Sequence, residues 1–225
     1  MRRLWLWYLD YWYVGLLQIR ALFARRVPSE FSQGDRAPVL LIAGVWEPWY
    51  FLRGIGRRLS DAGHPVHVVP EIGYSRASVS DVAALAIAYL EAHGVSNVVV
   101  VAHSKGGLVG KHLLATTPRV ERLVTVATPF GGSVYANYLP TRALREFRPT
   151  APSLLDLAAN RAVNARITSI YPSFDPHIPG GSALEGATNI EVSTTGHFRI
   201  LSDARVVAAI ESAVDGKSTS GPGVE

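Results

Sequence analysis

The chain has 225 residues, 48% of them apolar, a formal net charge of +4 and no cysteine. That length and apolar content fit one folded domain with a continuous core. Without cysteine there is no disulfide framework, thiolate metal site or cysteine nucleophile, so any covalent chemistry must use oxygen or nitrogen. Lys and Arg are scattered, with no compact basic stretch interleaved with stacking aromatics, so no nucleic-acid partner is expected.

Residues 1–26 are set apart. Three of the five Trp and three of the nine Tyr lie between Trp5 and Tyr13, flanked by Arg2, Arg3 and Arg20. Asp10 interrupts the apolar run, and Ala21-Leu-Phe-Ala24 fits a small-residue cleavage site poorly, so a cleavable signal peptide is not expected. The run from Leu4 to Ile19 is short for a bilayer span. An amphipathic helix lying on a membrane surface suits the aromatic belt and flanking arginines. A helix packed on the domain, or on a second copy of it, suits them equally. The expected location is accordingly the cytoplasm or the periphery of a membrane.

From Pro28 to Ala37 the chain turns polar and loses periodicity, which predicts a linker. Pro38 to Ala43 then predicts a fully buried strand. Phe51, Leu52, Ile55 and Leu59 keep helical spacing, and Gly63 can end that helix in a left-handed conformation. Pro65 to Val69 predicts a second strand. Val82, Leu85, Ala86, Tyr89, Leu90 and His93 share one helix face, and Asn97 to Ala102 predicts a third strand. A helix over Leu108 to Thr116 and a strand over Val120 to Ala127 follow. Shorter strands are predicted at Arg166 to Tyr171 and Asn189 to Ser193, before a closing helix from Ser202 with Val206, Val207 and Ile210 facing inward.

This alternation predicts an α/β fold over 37–215, with a mostly parallel, doubly wound sheet. About 130–165 breaks the pattern. Pro140, Pro149 and Pro152 punctuate Tyr135, Tyr138, Phe147 and Leu154 there, which predicts a small helical cap over the C-terminal edge of the sheet, where open α/β sheets bind ligands. The Gly- and Ser-rich tail, 216–225, is expected to be disordered.

Ser104 stands at the corner between the third strand and the next helix, in Val98-Val-Val-Val-Ala-His-Ser104-Lys-Gly-Gly-Leu. Small residues on both sides let strand and helix meet in a sharp turn, so that the hydroxyl projects beyond the sheet. Ala102 takes the first small position of the G-x-S-x-G pattern and Gly106 the second, with Gly107 beside it. The plain alternative is a serine that merely caps the helix.

The segment Ala102-His-Ser-Lys-Gly106 is similar to the A-x-S-x-G variant of lipase- and esterase-like α/β-hydrolases. Val126-Ala-Thr-Pro-Phe-Gly-Gly-Ser133 resembles the T-P-H-x-G-S segment of those enzymes, with Phe130 where many have His. The resemblance covers roughly Ala37 to Val214. It implies an α/β-hydrolase fold with a small helical cap, a serine nucleophile, and an acid and a histidine later in the chain, in the order Ser, Asp, His. Asp175 and His197 hold those places.

A serine hydroxyl is a poor nucleophile unless an imidazole takes its proton. Of the seven histidines, His197 follows a short strand and precedes the last helix, and Gly196 permits an irregular backbone that can aim its ring at Ser104. His103 would point away from the turn, His112 lies on the following helix, and His64, His67 and His93 suit structural roles. Asp175, in Tyr171-Pro-Ser-Phe-Asp-Pro-His177, ends a strand and can orient the imidazole. Asp156, Glu185 and Glu191 read as solvated charges. Asp175 and His177 could form a metal pair but lack further clustered ligands, so no metal and no cofactor is expected.

Two backbone donors, Val45 after the first strand and Lys105 after the nucleophile, are expected to form an oxyanion hole. The loop Ile42-Ala-Gly-Val-Trp-Glu-Pro-Trp49 lacks a G-x-G-x-x-G dinucleotide motif. Trp46, Trp49, Tyr50 and Phe130 are candidate substrate-binding residues, although aromatic packing under the cap explains them as plainly. The expected function is hydrolysis of carboxylic esters of lipids or acyl chains through an acyl-enzyme. Thioester hydrolysis or acyl transfer, and a non-catalytic binding module held at a membrane, are the alternatives.

Overall fold

A computed structural model describes residues 2–23, 27–138 and 141–217. Met1, residues 24–26, residues 139–140 with the predicted Pro140, and most of the tail expected to be disordered, 218–225, lie outside the described residues.

Helix α1 (Arg2–Phe23) opens the chain, followed by β1 (Val39–Ile42), α2 (Arg53–Asp61), β2 (Val66–Val68), α3 (Val79–Ala92) and β3 (Val98–His103). Next come α4 (Lys105–Thr116), β4 (Val120–Val126), α5 (Arg142–Arg145), α6 (Pro152–Ala159), β5 (Ile167–Phe174), β6 (Thr188–Thr195) and α7 (Ala204–Val214). The six strands form one sheet in the order β2-β1-β3-β4-β5-β6, and every pair is parallel. The chain has an α/β fold.

The valine-rich strands are buried on both faces because helices cover both sides of the sheet. Along β3, Val98, Val100 and Ala102 pack with Val82, Ala86, Leu90, Leu108 and Leu113. Val99 and Val101 turn to the other layer, with Phe51, Leu52, Ile55, Leu59, Val206 and Ile210. That period of two explains why an uninterrupted apolar run can lie in the middle of the sheet.

Strand order reverses at β1: the chain steps from β1 outward to β2, then back past β1 to β3. Such a switch opens a crevice at the C-terminal ends of the two central strands, because the connections leave in opposite directions. The loop after β1 and the turn after β3 both lie there.

Three local expectations change. The polar stretch 28–37 is a packed segment, because Phe31 in its short 3₁₀ turn is 1% exposed and joins the core. Gly56 on α2 makes room for that ring, since a Cβ there would come within 2.9 Å of it. Helix α4 begins at Lys105, ahead of Leu108, because the turn at Ser104 leads straight into helical backbone. The closing helix is capped by Asp203, whose carboxylate accepts from the Arg205 amide, while Ser202 belongs to the preceding 3₁₀ turn. Val206 and Ile210 are buried in it and Val207 is half-buried.

The segment around 130–165 contains a 3₁₀ turn at Val134–Asn137, α5 and α6. Phe130, Leu144, Phe147 and Leu154 from it are buried and extend the core toward the crevice.

Candidate active site

At the end of β3 the backbone folds sharply, and Ser104 sits at φ 53 and ψ −122. A non-glycine residue in that region is strained, and the strain turns its hydroxyl away from the helix into the crevice. Surrounding contacts impose the shape. The Ser104 amide donates to Val126 O at 2.9 Å, and Thr128 Oγ1 donates to Ser104 O at 3.0 Å. The glycines answer to packing: a Cβ on Gly106 would lie 2.2 Å from Ile42 O, and one on Gly107 would lie 2.0 Å from Thr128 Oγ1. Ser104 makes no side-chain cap for α4, so the capping alternative does not describe it.

His197, in the loop between β6 and the 3₁₀ turn Arg199–Ser202, brings Nε2 to 2.9 Å from Ser104 Oγ. Its Nδ1 lies 2.8 Å from Asp175 Oδ2. Asp175 follows β5, and its other oxygen accepts from the amides of His177 at 2.8 Å and Ile178 at 3.1 Å. Ser104, His197 and Asp175 are all buried, with Ser104 8% exposed. The three residues, drawn from three separate strand ends, thus form a triad-like arrangement.

Burial alone would discourage the charged imidazole of His197, but the charge of Asp175 and the hydrogen bond to it outweigh that effect, helped by Glu47 and Asp10. The result is a ring that holds its proton above the ordinary histidine range. Burial likewise opposes ionisation of Asp175, and His197 reverses it, keeping the carboxyl below its usual range.

Lys105 is the first residue of α4, where helical geometry leaves the amide without an intrahelical acceptor. Its side chain is buried and turned away, with Nζ donating to Ser75 O at 2.9 Å and to Ala77 O. Burial lowers its basicity. Val45 stands in a tight turn closed by the Glu47 amide on Gly44 O at 3.2 Å, with Trp46 at φ 60. Val45, Trp46 and Glu47 all border the crevice.

The other predicted substrate contacts divide. Trp46 lines a cavity of about 560 Å³ beside Ser104 and His197. Trp49 packs edge-on against Phe31, and Tyr50 borders a separate surface groove with Arg53 and Arg57. Phe130 is buried in the core. The cavity wall is instead made by Phe51, by Tyr135, Ala136, Leu144 and Phe147 of the segment around 130–165, and by Trp7, Tyr11 and Val14 of α1. Helix α1 thus packs on the domain and walls the site.

Two acidic residues passed over in the sequence complete the surroundings. Glu47 is buried and accepts from the Gly44 amide at 2.9 Å and from His103 Nδ1 at 2.8 Å. His103 Nε2 in turn lies 2.9 Å from His197 O. His103 does point away from Ser104, and it props the loop of His197. Asp10, on α1, is fully buried and accepts from three amides of that same loop. The signal for Asp10 was present, because an acid inside an aromatic run is costly unless buried donors meet it. Beyond the Gly44 amide nothing local marks Glu47, whose side-chain partner His103 is 56 residues away.

The His177 ring lies between those of Trp7 and His197, tilted against each at 39° and 46°, with centroids at 4.9 and 5.0 Å. Burial and the neighbouring His197 lower its pKa to about 4, which favours a neutral ring. Among the described residues no cluster of three or more His, Asp or Glu could hold a metal ion. His64 bonds Ala37 O, and His67 and His93 flank Tyr89, all away from the site.

No family model matches the chain. Among solved structures it is similar to the lipase BlEst2 of Bacillus licheniformis in mature form, at 16% identity and a TM-score of 0.63, covering 80% of this chain and 94% of that one. It is also similar to the monoacylglycerol lipase of Paleococcus ferrophilus, at 15% identity and a TM-score of 0.59, covering 84% and 97%. Mouse alpha/beta hydrolase domain-containing protein 10 matches at 14% identity and a TM-score of 0.57, covering 82% and 90%. The chain therefore has the α/β-hydrolase fold, with lipases and esterases among its structural neighbours.

Proposed function

We propose that the chain is a serine hydrolase that cleaves carboxylic esters of lipids or other acyl chains, with 37–215 as the catalytic body and 130–165 as its cap. The observation that carries this reading is the continuous relay from Ser104 Oγ through His197 to Asp175, at 2.9 and 2.8 Å, on a strained serine.

Ser104 Oγ attacks the ester carbonyl carbon as its proton passes to His197 Nε2, and Asp175 supports the imidazolium. The oxyanion forms between the amides of Val45 and Lys105. The carbonyl–alkoxy bond then breaks, and the proton on His197 goes to the departing alkoxide. A water attacks the acyl-enzyme, gives its proton to His197, and the Ser104 oxygen leaves with that proton.

The lining favours hydrocarbon, because aromatic and aliphatic side chains from α1, the β1 loop and the cap surround the serine. The outer face of α1 supports delivery from a lipid surface: Trp5, Tyr8, Trp12, Ile19, Leu22 and Phe23 are all exposed on it. No described helix is long and apolar enough to cross a membrane, so contact with the interface is the mode proposed.

Hydrolysis of p-nitrophenyl esters of graded chain length by wild-type and Ser104→Ala protein tests the reading. Turnover that rises toward medium chains and vanishes in S104A is expected. Equal rates in both proteins would sink it. Preference for an acyl-thioester, or product formed only with an added alcohol acceptor, would redirect it to thioester hydrolysis or acyl transfer.

A further inference from the structure

The loop that presents His197 has no regular structure of its own, and a helix at the opposite end of the chain holds it. The amide of His197 donates to Asp10 Oδ2 at 3.0 Å, and those of Phe198 and Arg199 donate to Oδ1 at 3.1 and 3.0 Å. These partners are 187 to 189 residues apart in sequence. Gly196 makes the approach possible, since at φ 104 a Cβ there would lie 2.7 Å from Asp10 Oδ1.

The same helix reaches the other half of the site. Gln18 Nε2 donates to Trp46 O at 2.8 Å, on the turn that carries Val45. Between these two ties, Trp7, Tyr11 and Val14 form one side of the cavity at helical spacing. One helix face thus touches the loop of the proposed base, the proposed oxyanion turn and the substrate space.

We propose that Asp10 is a positioning residue for His197, and that α1 is thereby an integral wall of the active site, latched to both of its loops. The proposal rests on Ser104, His197 and Asp175 acting as the triad. A carboxylate with three converging amides is a charge-assisted clamp, and without it one buried and two half-buried donors lose their acceptor together. The loop then relaxes, and His197 Nε2 leaves hydrogen-bond reach of Ser104 Oγ.

Asp10 also acts through its charge. His197 is faced by Asp175 and His177 from the β5 end, Glu47 from the β1 turn, His103 from β3, and Asp10 from α1, with Tyr11 beside Asp10. The carboxylate of Asp10 raises the proton affinity of His197, so removing the charge lets the ring lose its proton at lower pH.

The test is steady-state kinetics of full-length wild type, Asp10→Asn and Asp10→Glu across pH on a soluble short-chain p-nitrophenyl ester, with thermal melting as the folding control. In D10N, kcat is expected to fall about 10²-fold with KM unchanged, as misplacement of a reacting group produces. The acid limb of kcat/KM is expected to move to lower pH. D10E, which keeps the charge one methylene further out, should hold the limb at its parental pH with kcat between the other two. Parental kcat and limb in D10N would overturn the proposal, as would a loss that merely follows the fraction of folded protein. Should D10N fail to fold, parental kcat in D10E would overturn it and a lowered kcat with an unmoved limb would support it. Failure of the underlying reading shows differently, as a wild type that turns over no ester, and it would overturn both.

Discussion

The C-terminal end of β3 and helix α1 contribute to one site in opposite ways. The turn around Ser104 is built by its own neighbours: a buried strand, a strained residue and two glycines that let the helix lie against Ile42 and Thr128. Helix α1 has no such local logic. Its inner face is defined only by what it meets, the loop of His197 through Asp10 and the β1 turn through Gln18. Local geometry shapes the turn of the proposed nucleophile, and distant packing sets which groups reach it.

Breaking the local half has the largest effect. Ser104→Ala is expected to lower kcat on the order of 10⁶-fold with no loss of folding, because members of a triad act as a unit. A residual rate near that of wild type in the ester assay would contradict this.

The pH profile sharpens the distant half. In the proposed mechanism the free protein needs a neutral His197, whose pKa is raised by Asp175 despite burial. Below that raised pKa, kcat/KM should fall about tenfold per pH unit, with a midpoint above the ordinary histidine value. A midpoint below that value would mean that desolvation outweighs Asp175.

Gly106→Ala probes the packing that shapes the turn. Its Cβ would be driven toward Ile42 O, so a loss of about 1–3 kcal/mol is expected from overpacking, read by denaturant unfolding. No change in midpoint would show that the close approach of α4 to β1 is not required.

The smallest effect concerns the outer face of α1. Trp12 is 60% exposed and Phe23 is 86% exposed. Replacing both by Ser should weaken binding to anionic phospholipid vesicles about tenfold or more, the scale of two lost apolar anchors, while soluble-ester activity is unchanged. Co-sedimentation equal to wild type would remove the membrane part of the proposed function.

The layering and the turn were legible because both follow short-range rules. Asn97 to Ala102 reads as a buried strand from its run of valines, and Ser104 stands out because Ala102 precedes it and Gly106 and Gly107 follow within a short turn. The helix between Phe51 and Leu59 was visible in its spacing. Phe31 was not, because one apolar residue in a polar stretch has no period, and its burial depends on a gap over Gly56. The role of α1 was hidden for a different reason. Its aromatics occupy both faces, so periodicity could not say which face packs, and the partners of Asp10 lie almost a chain length away. Glu47 and His103 meet only because β1 and β3 are neighbours in the sheet. Trp49, Tyr50 and Phe130 show the converse, since proximity in sequence to the crevice did not put them on the cavity wall.

The most direct test of the central claim is covalent labelling. Wild-type protein and His197→Gln are treated with a fluorophosphonate probe, and the adduct is mapped by peptide mass spectrometry. Rapid, stoichiometric modification of Ser104 in the wild type, with far slower modification in H197Q, is the expected result, because only a serine served by a base reacts quickly. An unlabelled Ser104 in folded wild-type protein, or equal labelling in H197Q, would contradict it.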